Sequence, residues 1–297
     1  MKAAILLVPL LFLTGCATST REVRRASPAT SPVAAAPSTA PVWPANAPSL
    51  AAQSAIMIDA RSGEVLFQKN ADARRVPAST QKLLTALLVS RRGNLDALVT
   101  IAPEDTRVEP TRLGLRPGER YARRDLLQSI MVKSSNDACA ALARDHSGTE
   151  AAFTENMNRA AWSLGAQSSY FANSHGLPAS QFSTARDIAR IAFLAYRDPT
   201  LRRMMQQRIV FFRHNTGRIT RLEATNKLLG RSSAYNGMKT GYTDAAGRCL
   251  VSSGRLNGRE VILVQLGSKT RYIFDDAQRL MAWSGRGTYS DTSYATF

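Results

Sequence analysis

The stretch "RVPASTQKLLTALL", Arg75 to Leu88, sets a serine and a lysine three places apart at the head of an apolar run. Leu83, Leu84, Leu87 and Leu88 recur at helical spacing, which predicts a helix starting at Ser79 or just after it. Residues three apart on a helix are neighbours, so the Lys82 amine is carried toward the Ser79 hydroxyl. A serine hydroxyl is a weak nucleophile until a nearby base removes its proton. Lysine can be that base only while uncharged, a state favoured by burial or by a second cation close by. The S-x-x-K pattern alone arises by chance in many helices, and its companions decide its meaning.

The first companion is Ser134-Ser135-Asn136, between two helical runs in "IMVKSSNDACAAL". The second is Lys239-Thr240-Gly241, in "YNGMKTGYTDAAG", just ahead of a strand-like C-terminal third. Around these motifs the hydrophobic period changes twice. Ala55 to Asp59 and Glu64 to Gln68 read as a hairpin, with Gly63 available for a positive φ. Arg123 to Val132, Asp137 to Arg144, Thr149 to Leu164 and Thr184 to Tyr196 read as helices. Thr184, three places before Asp187, marks the start of the last of them. Leu250 to Ser253 and Glu260 to Gly267, joined across Arg255-Leu-Asn-Gly-Arg259, read as a second hairpin, and Ile273 to Trp283 as a closing helix. Strands, then helices, then strands predict one sheet assembled from both ends of the domain with a helical lobe inserted between them.

The 297 residues are 44% hydrophobic and 21% charged, enough for a real core in one large or two small domains, which excludes a disordered or fibrous chain. The formal net charge of +17, mostly arginine, predicts attraction to anionic lipid or acidic cell-wall polymer. Nucleic acid is set aside as a partner, because the arginines are scattered and no helix-turn-helix, zinc-finger or RNP pattern accompanies them.

Residues 1–15 read as a signal peptide: Met1-Lys2, then an apolar stretch from Ala3 to Leu13 that is too short to span a bilayer. It ends in Leu13-Thr14-Gly15-Cys16, which resembles a bacterial lipobox with Cys16 as the lipidated mature N-terminus. Several acyl chains on one cysteine suffice for stable membrane anchoring, and Ala17 in place of an acidic retention residue points to the outer membrane. Residues 16–50, rich in Ala, Pro, Ser and Thr, read as a disordered tether, residues 51–284 as the folded domain and residues 285–297 as a loose tail. Cys139 and Cys249 each sit in an apolar stretch and read as buried thiols, with pairing as the alternative. No CxxC or Cys/His cluster is present to hold a metal, and no cofactor is expected.

The three motifs, in this order and about fifty and about a hundred residues apart, resemble the penicillin-binding protein and serine β-lactamase superfamily. The flanks "PASTQKLLTALL", "VKSSNDA", "FANSHGLP", "ATNKLLG" and "GMKTGYTDAAG" resemble its low-molecular-mass D-alanyl-D-alanine peptidases, the S11 serine peptidases, over roughly residues 52 to 284. That resemblance implies an α/β (α+β) fold of β-lactamase/transpeptidase-like type. An antiparallel sheet of about five strands would be flanked by helices, with an inserted all-helical lobe. It implies Ser79 as the acylated nucleophile, Lys82 as its base, and Ser134 as the relay of a proton to the leaving amine. Asn136 would bind the substrate carbonyl and help hold Lys82. Lys239 would contribute positive potential, Thr240 would contact the terminal carboxylate, and Gly241 would leave room for substrate along the strand. The N–H groups of Ser79 and Tyr242 would form the oxyanion hole. Expected partners are peptidoglycan peptides ending in D-Ala-D-Ala and β-lactam inhibitors, with the membrane reached through the N-terminal lipid. The expected activity is a penicillin-sensitive D-Ala-D-Ala carboxypeptidase of the cell envelope, facing the periplasm. A D,D-endopeptidase cutting crosslinks is the alternative.

Three further readings are weighed. A class A β-lactamase needs a deacylating glutamate with a nearby asparagine, and neither Glu155 nor Glu223 sits in a matching loop. A Ser-His-Asp triad lacks its G-x-S-x-G, and His175, within "NSHGLP", reads as a loop or cleft-rim residue. A non-catalytic peptidoglycan-binding lipoprotein is disfavoured because every motif position holds a chemically competent residue. The arginines from Arg107 to Arg124 read as a solvated face, and Arg271 as a candidate contact for a substrate carboxylate.

Overall fold

The computed structural model describes residues 47–269 and 271–284. The expected signal peptide, Cys16, most of the expected tether and the expected tail lie outside them. The described fold starts earlier than the expected Ala51: Leu50 is buried, and its carbonyl accepts from Lys69 Nζ at 2.8 Å.

Two strands open the fold, β1 (Ser54–Asp59) and β2 (Val65–Lys69). The turn between them is held by the Asp59 carboxylate, which accepts the N–H groups of Arg61 and Ser62 at 2.8 and 3.0 Å. A single 3-10 turn, Ala78–Gln81, leads into α1 (Lys82–Arg92). The short pair β3 (Leu98–Thr100) and β4 (Arg120–Ala122) follows, then α2 (Arg123–Val132), α3 (Asn136–Ser147) and α4 (Glu150–Ser163). Next come α5 (Ala185–Arg197) and α6 (Pro199–Met205), and a second hairpin of β5 (Ile209–Arg213) and β6 (Ile219–Glu223). The chain closes with β7 (Tyr235–Thr243), β8 (Gly247–Leu256), β9 (Arg259–Ser268) and α7 (Ile273–Ser284).

Among the described residues five strands form one antiparallel sheet in the order β2-β1-β9-β8-β7, so both ends of the domain meet at the β1–β9 pair. Alternation across this sheet divides the core. Ile56, Ile58, Val251, Ile262 and Val264 point into the larger hydrophobic cluster, where α5 packs on β1 and β9. Ala55, Met57, Leu250, Val261 and Leu263 point to the opposite face, covered by α7. Strands buried on both faces read as nearly continuous apolar runs, which is why EVILVQLG looks as it does. The β8–β9 turn is Asn257-Gly258 with φ of 50° and 82°, the positive pair that a tight two-residue hairpin requires.

The inserted lobe is not all helical. Two two-stranded sheets, β3–β4 and β5–β6, stand among its helices. One arginine of the supposed solvated face is also different: Arg123 is buried, bonds Asp145 at 2.8 Å, and donates to the carbonyls of Gly93 and Asn94 just past the end of α1. Arg107, Arg112, Arg116, Arg120 and Arg124 are exposed as expected. Cys139 and Cys249 are both buried free thiols.

Candidate active site

Ser79 lies in the 3-10 turn ahead of α1, one residue after Ala78, whose φ is +47°. A positive φ at alanine is held only where the surroundings dictate it. Two close approaches do so here. A Cβ on Gly176 would lie 2.2 Å from the Ala78 carbonyl oxygen, and one on Gly241 would lie 2.8 Å from the Ser79 nitrogen. Only glycine lets the 173–177 loop and strand β7 clamp the turn from two sides.

The first turn of α1 then delivers Lys82 beneath the serine. Its Nζ donates to Ser79 Oγ at 3.0 Å, to Asn136 Oδ1 at 2.7 Å and to the His175 carbonyl oxygen. Those three acceptors match the three donors of an ammonium. The side chain is wholly buried, and burial pulls its pKa down to about 8, against the attraction of Glu150. The lowered pKa raises the share of neutral Lys82 near neutral pH, the form able to take the serine proton.

Asn136 begins α3 and is itself fixed: its Nδ2 donates to Glu109 O at 2.9 Å and its backbone N–H to Thr111 O at 2.7 Å. Asp137, next along, accepts the N–H groups of Leu113, Gly114 and Leu115 at 2.9, 2.9 and 3.3 Å. The loop over the cleft is thus tied to the same helix start that holds Lys82. Ser134, at φ +71°, ends α2 abruptly and faces the cleft. Met238, at φ +98°, precedes Lys239, so each of the three motifs holds or adjoins a strained residue.

Strand β7 is the sheet edge and forms the far wall. Thr240 Oγ1 donates to Thr225 Oγ1 at 2.6 Å, and Tyr242 is exposed with its hydroxyl on Asp244 at 2.7 Å. Lys239 is fully buried on the opposite face, with Nζ donating to the Thr240 carbonyl at 2.8 Å. Burial, and after it the charge of Lys82, hold Lys239 well below the ordinary lysine range. The cleft has a volume of about 590 Å³, and Ser79, Ser134, Asn136, Thr240, Gly241 and Tyr242 all line it.

The reading of residues missed one participant, a backbone carbonyl. The His175 oxygen accepts from both Lys82 and Ser79 Oγ, the latter at 3.3 Å. Its imidazole does other work: Nε2 lies 3.4 Å from Glu150 Oε1, and burial pushes the ring down to about 4, so it stays neutral. His146 and His214 are elsewhere, on α3 and after β5, and no histidine base faces Ser79. Glu155 is exposed on α4 beside Arg159. Glu223 reaches the cleft rim but is paired with Arg221. Arg271 does not line the cleft; its guanidinium stacks over Tyr272 at 4.6 Å. Among the described residues no group of three or more His, Cys, Asp or Glu side chains could hold a metal.

The family model for D-alanyl-D-alanine carboxypeptidases, peptidase S11, matches residues 42–270. The chain belongs to the peptidase S11 family. It is 34% identical over 254 residues to the D-alanyl-D-alanine carboxypeptidase DacC of Escherichia coli K12, covering 81% of this chain and 62% of that protein. It is 32% identical over 243 residues to a D-alanyl-D-alanine endopeptidase of Pseudomonas aeruginosa, covering 80% of this chain and 78% of that protein. Among solved structures of the family's fold, a D-alanyl-D-alanine carboxypeptidase from Mycobacterium tuberculosis superposes with a TM-score of 0.80 at 29% identity, over 86% of this chain and all of that one. The Streptomyces K15 DD-transpeptidase gives 0.76 at 30% identity, over 80% and 98%. The S11 chain described here spans less than two thirds of the length of DacC.

Proposed function

We propose that this S11 chain is a serine D-Ala-D-Ala carboxypeptidase of peptidoglycan stem peptides, working through an acyl-enzyme on Ser79. The observation that carries the reading is the buried Lys82 amine, 3.0 Å from the Ser79 hydroxyl with a pKa near 8. Neutral Lys82 takes the hydroxyl proton as Oγ attacks the carbonyl of the penultimate D-alanine. The developing oxyanion is received by the N–H groups of Ser79 and Tyr242, an interaction worth about 3 kcal/mol in barrier height. Ser134 passes a proton to the departing amine, and Thr240 holds the leaving D-alanine carboxylate. Asn136 keeps Lys82 in place and meets the substrate carbonyl. Lys239 adds potential from the face of β7 that it shares with Gly241, the face turned toward Ser79 and Lys82, and Gly241 leaves the strand's edge open to an added peptide. Water then hydrolyses the ester and restores Ser79. A β-lactam enters by the same attack and leaves a slowly hydrolysed ester.

A fluorescent penicillin tests this directly. The wild type should take the label covalently and Ser79→Ala should not; an unlabelled wild type would overturn the proposal.

One observation favours a second reading, cleavage of crosslinks. Relatives named D-alanyl-D-alanine endopeptidase, from P. aeruginosa and E. coli, stand beside the carboxypeptidases at 32% and 31% identity. Digestion of sacculi separates the two: pentapeptides trimmed to tetrapeptides mark a carboxypeptidase, and loss of crosslinked dimers marks an endopeptidase. We further propose an envelope lipoprotein anchored at Cys16, a reading supported by the lipobox-like stretch Leu13-Thr14-Gly15-Cys16. Mass spectrometry of the membrane fraction should find residue 16 acylated; an unmodified residue 16 would overturn it.

A further inference from the structure

Most arginines that touch the folded core are satisfied by carboxylates: Arg123 by Asp145, Arg144 by Asp105, Arg202 by Glu260. Arg248 differs. Among the described residues it makes no ion pair, and its Nε is buried without a hydrogen-bond partner although the residue lines the active-site cleft. What holds it is Tyr242, its direct cross-strand partner on β7, with the guanidinium carbon 4.4 Å from the ring centroid. Asp244, an acid at that ring, is engaged by the tyrosine hydroxyl at 2.7 Å. A cation fixed by stacking, facing a cleft and without an anion, is preorganised for a carboxylate brought by a ligand.

Register says where that carboxylate belongs. Thr240 and Tyr242 share one face of β7, and Gly241 between them abuts the Ser79 nitrogen. A carbonyl at Ser79 therefore has Thr240 to one side and Tyr242 to the other. With the leaving group on the Thr240 side, the acyl part of the peptide runs past Tyr242. A peptide laid along the β7 edge puts the side chain opposite Tyr242 on the Tyr242–Arg248 face.

We propose that Arg248 is a specificity-determining residue that holds an acidic side chain on the acyl side of the attacked bond, in the residue just before the penultimate D-alanine. The direction rests on the reading of Ser79 and Thr240 given above. Equilibrium binding to Ser79→Ala protein tests it without turnover, using N-acetyl-L-glutamyl-D-alanyl-D-alanine and its glutaminyl counterpart in calorimetry. With Arg248 present the acidic peptide should bind at least about tenfold more tightly. In Ser79→Ala/Arg248→Gln the difference should shrink below about threefold, and Arg248→Lys should restore part of it, which guards against simple misfolding. Equal affinities in the Arg248 protein, a preference that survives Arg248→Gln, or no binding of either peptide would each overturn the proposal. Failure of the wild type to take a fluorescent penicillin would instead count against the Ser79 reading.

Discussion

At the scale of single residues, the site is set by positions where side chains are absent as much as by those that react. Gly176 and Gly241 let two backbones close on the Ala78–Ser79 turn, and the turn's strained φ is the consequence of that clamp. Gly176→Ala meets the Ala78 carbonyl at 2.2 Å and must also adopt a φ of 83°. We expect it to destabilise the fold by about 1–3 kcal/mol, lowering Tm by several degrees, and to slow penicillin acylation. Parallel melting and labelling curves check both. Normal stability with normal acylation would show that the clamp does not set the serine. Sequence made the candidate side chains of the cleft readable, because S-x-x-K, S-x-N and K-T-G each name a side chain. It hid the His175 carbonyl, since every residue has one and no side chain signals its use.

At the scale of elements, the start of α3 organises the cleft roof. Asp137 gathers three backbone N–H groups of the 113–115 segment, and Asn136 fixes the adjoining 109–111 segment. Asp137→Ala strands those donors, so we expect a loss of about 2–4 kcal/mol and slower acylation although Ser79 and Lys82 are untouched. Urea unfolding beside acylation kinetics measures it; an unchanged midpoint would mean that the segment holds itself. Elements with a strong local signature were legible. Thr184 caps α5, accepting the Asp187 N–H at 3.0 Å, and Asn257-Gly258 turns β8 into β9. The short sheets were not. β3 and β4 have three residues each, too few to display a period, and β5 and β6 bury one residue apiece, which erases alternation. α6, seven residues capped by Asp198 with proline at its start, is likewise too short for a helical stripe, although its cap was present in the sequence.

At the scale of the whole molecule, the sheet is joined across the chain's two ends while the insert supplies the serine, the lysine's partners and the roof. The site therefore exists only when β1 has paired with β9 and β7 has docked on the Ser79 turn. The net charge of +17 acts at this scale as well. Arg107, Arg112, Arg116, Arg120 and Arg124 are solvent-facing, a surface suited to long-range attraction by acidic wall polymer. Cosedimentation with isolated sacculi should weaken steeply as NaCl rises from about 0.05 to about 0.5 M. Retention independent of salt would assign binding to the cleft instead of the basic surface.

The central claim is that Lys82 works as an uncharged base on Ser79. Its buried pKa of about 8 fixes the sign: the competent form grows as pH rises and saturates above that value. The second-order rate of acylation by a fluorescent penicillin should climb nearly tenfold per unit below about pH 8 and level off above it. No inflection should fall in the ordinary histidine range, since His175 is held near 4. Lys82→Arg, permanently charged, should be slower by at least about a thousandfold. A flat profile, or an arginine variant that acylates at the wild-type rate, would contradict the account.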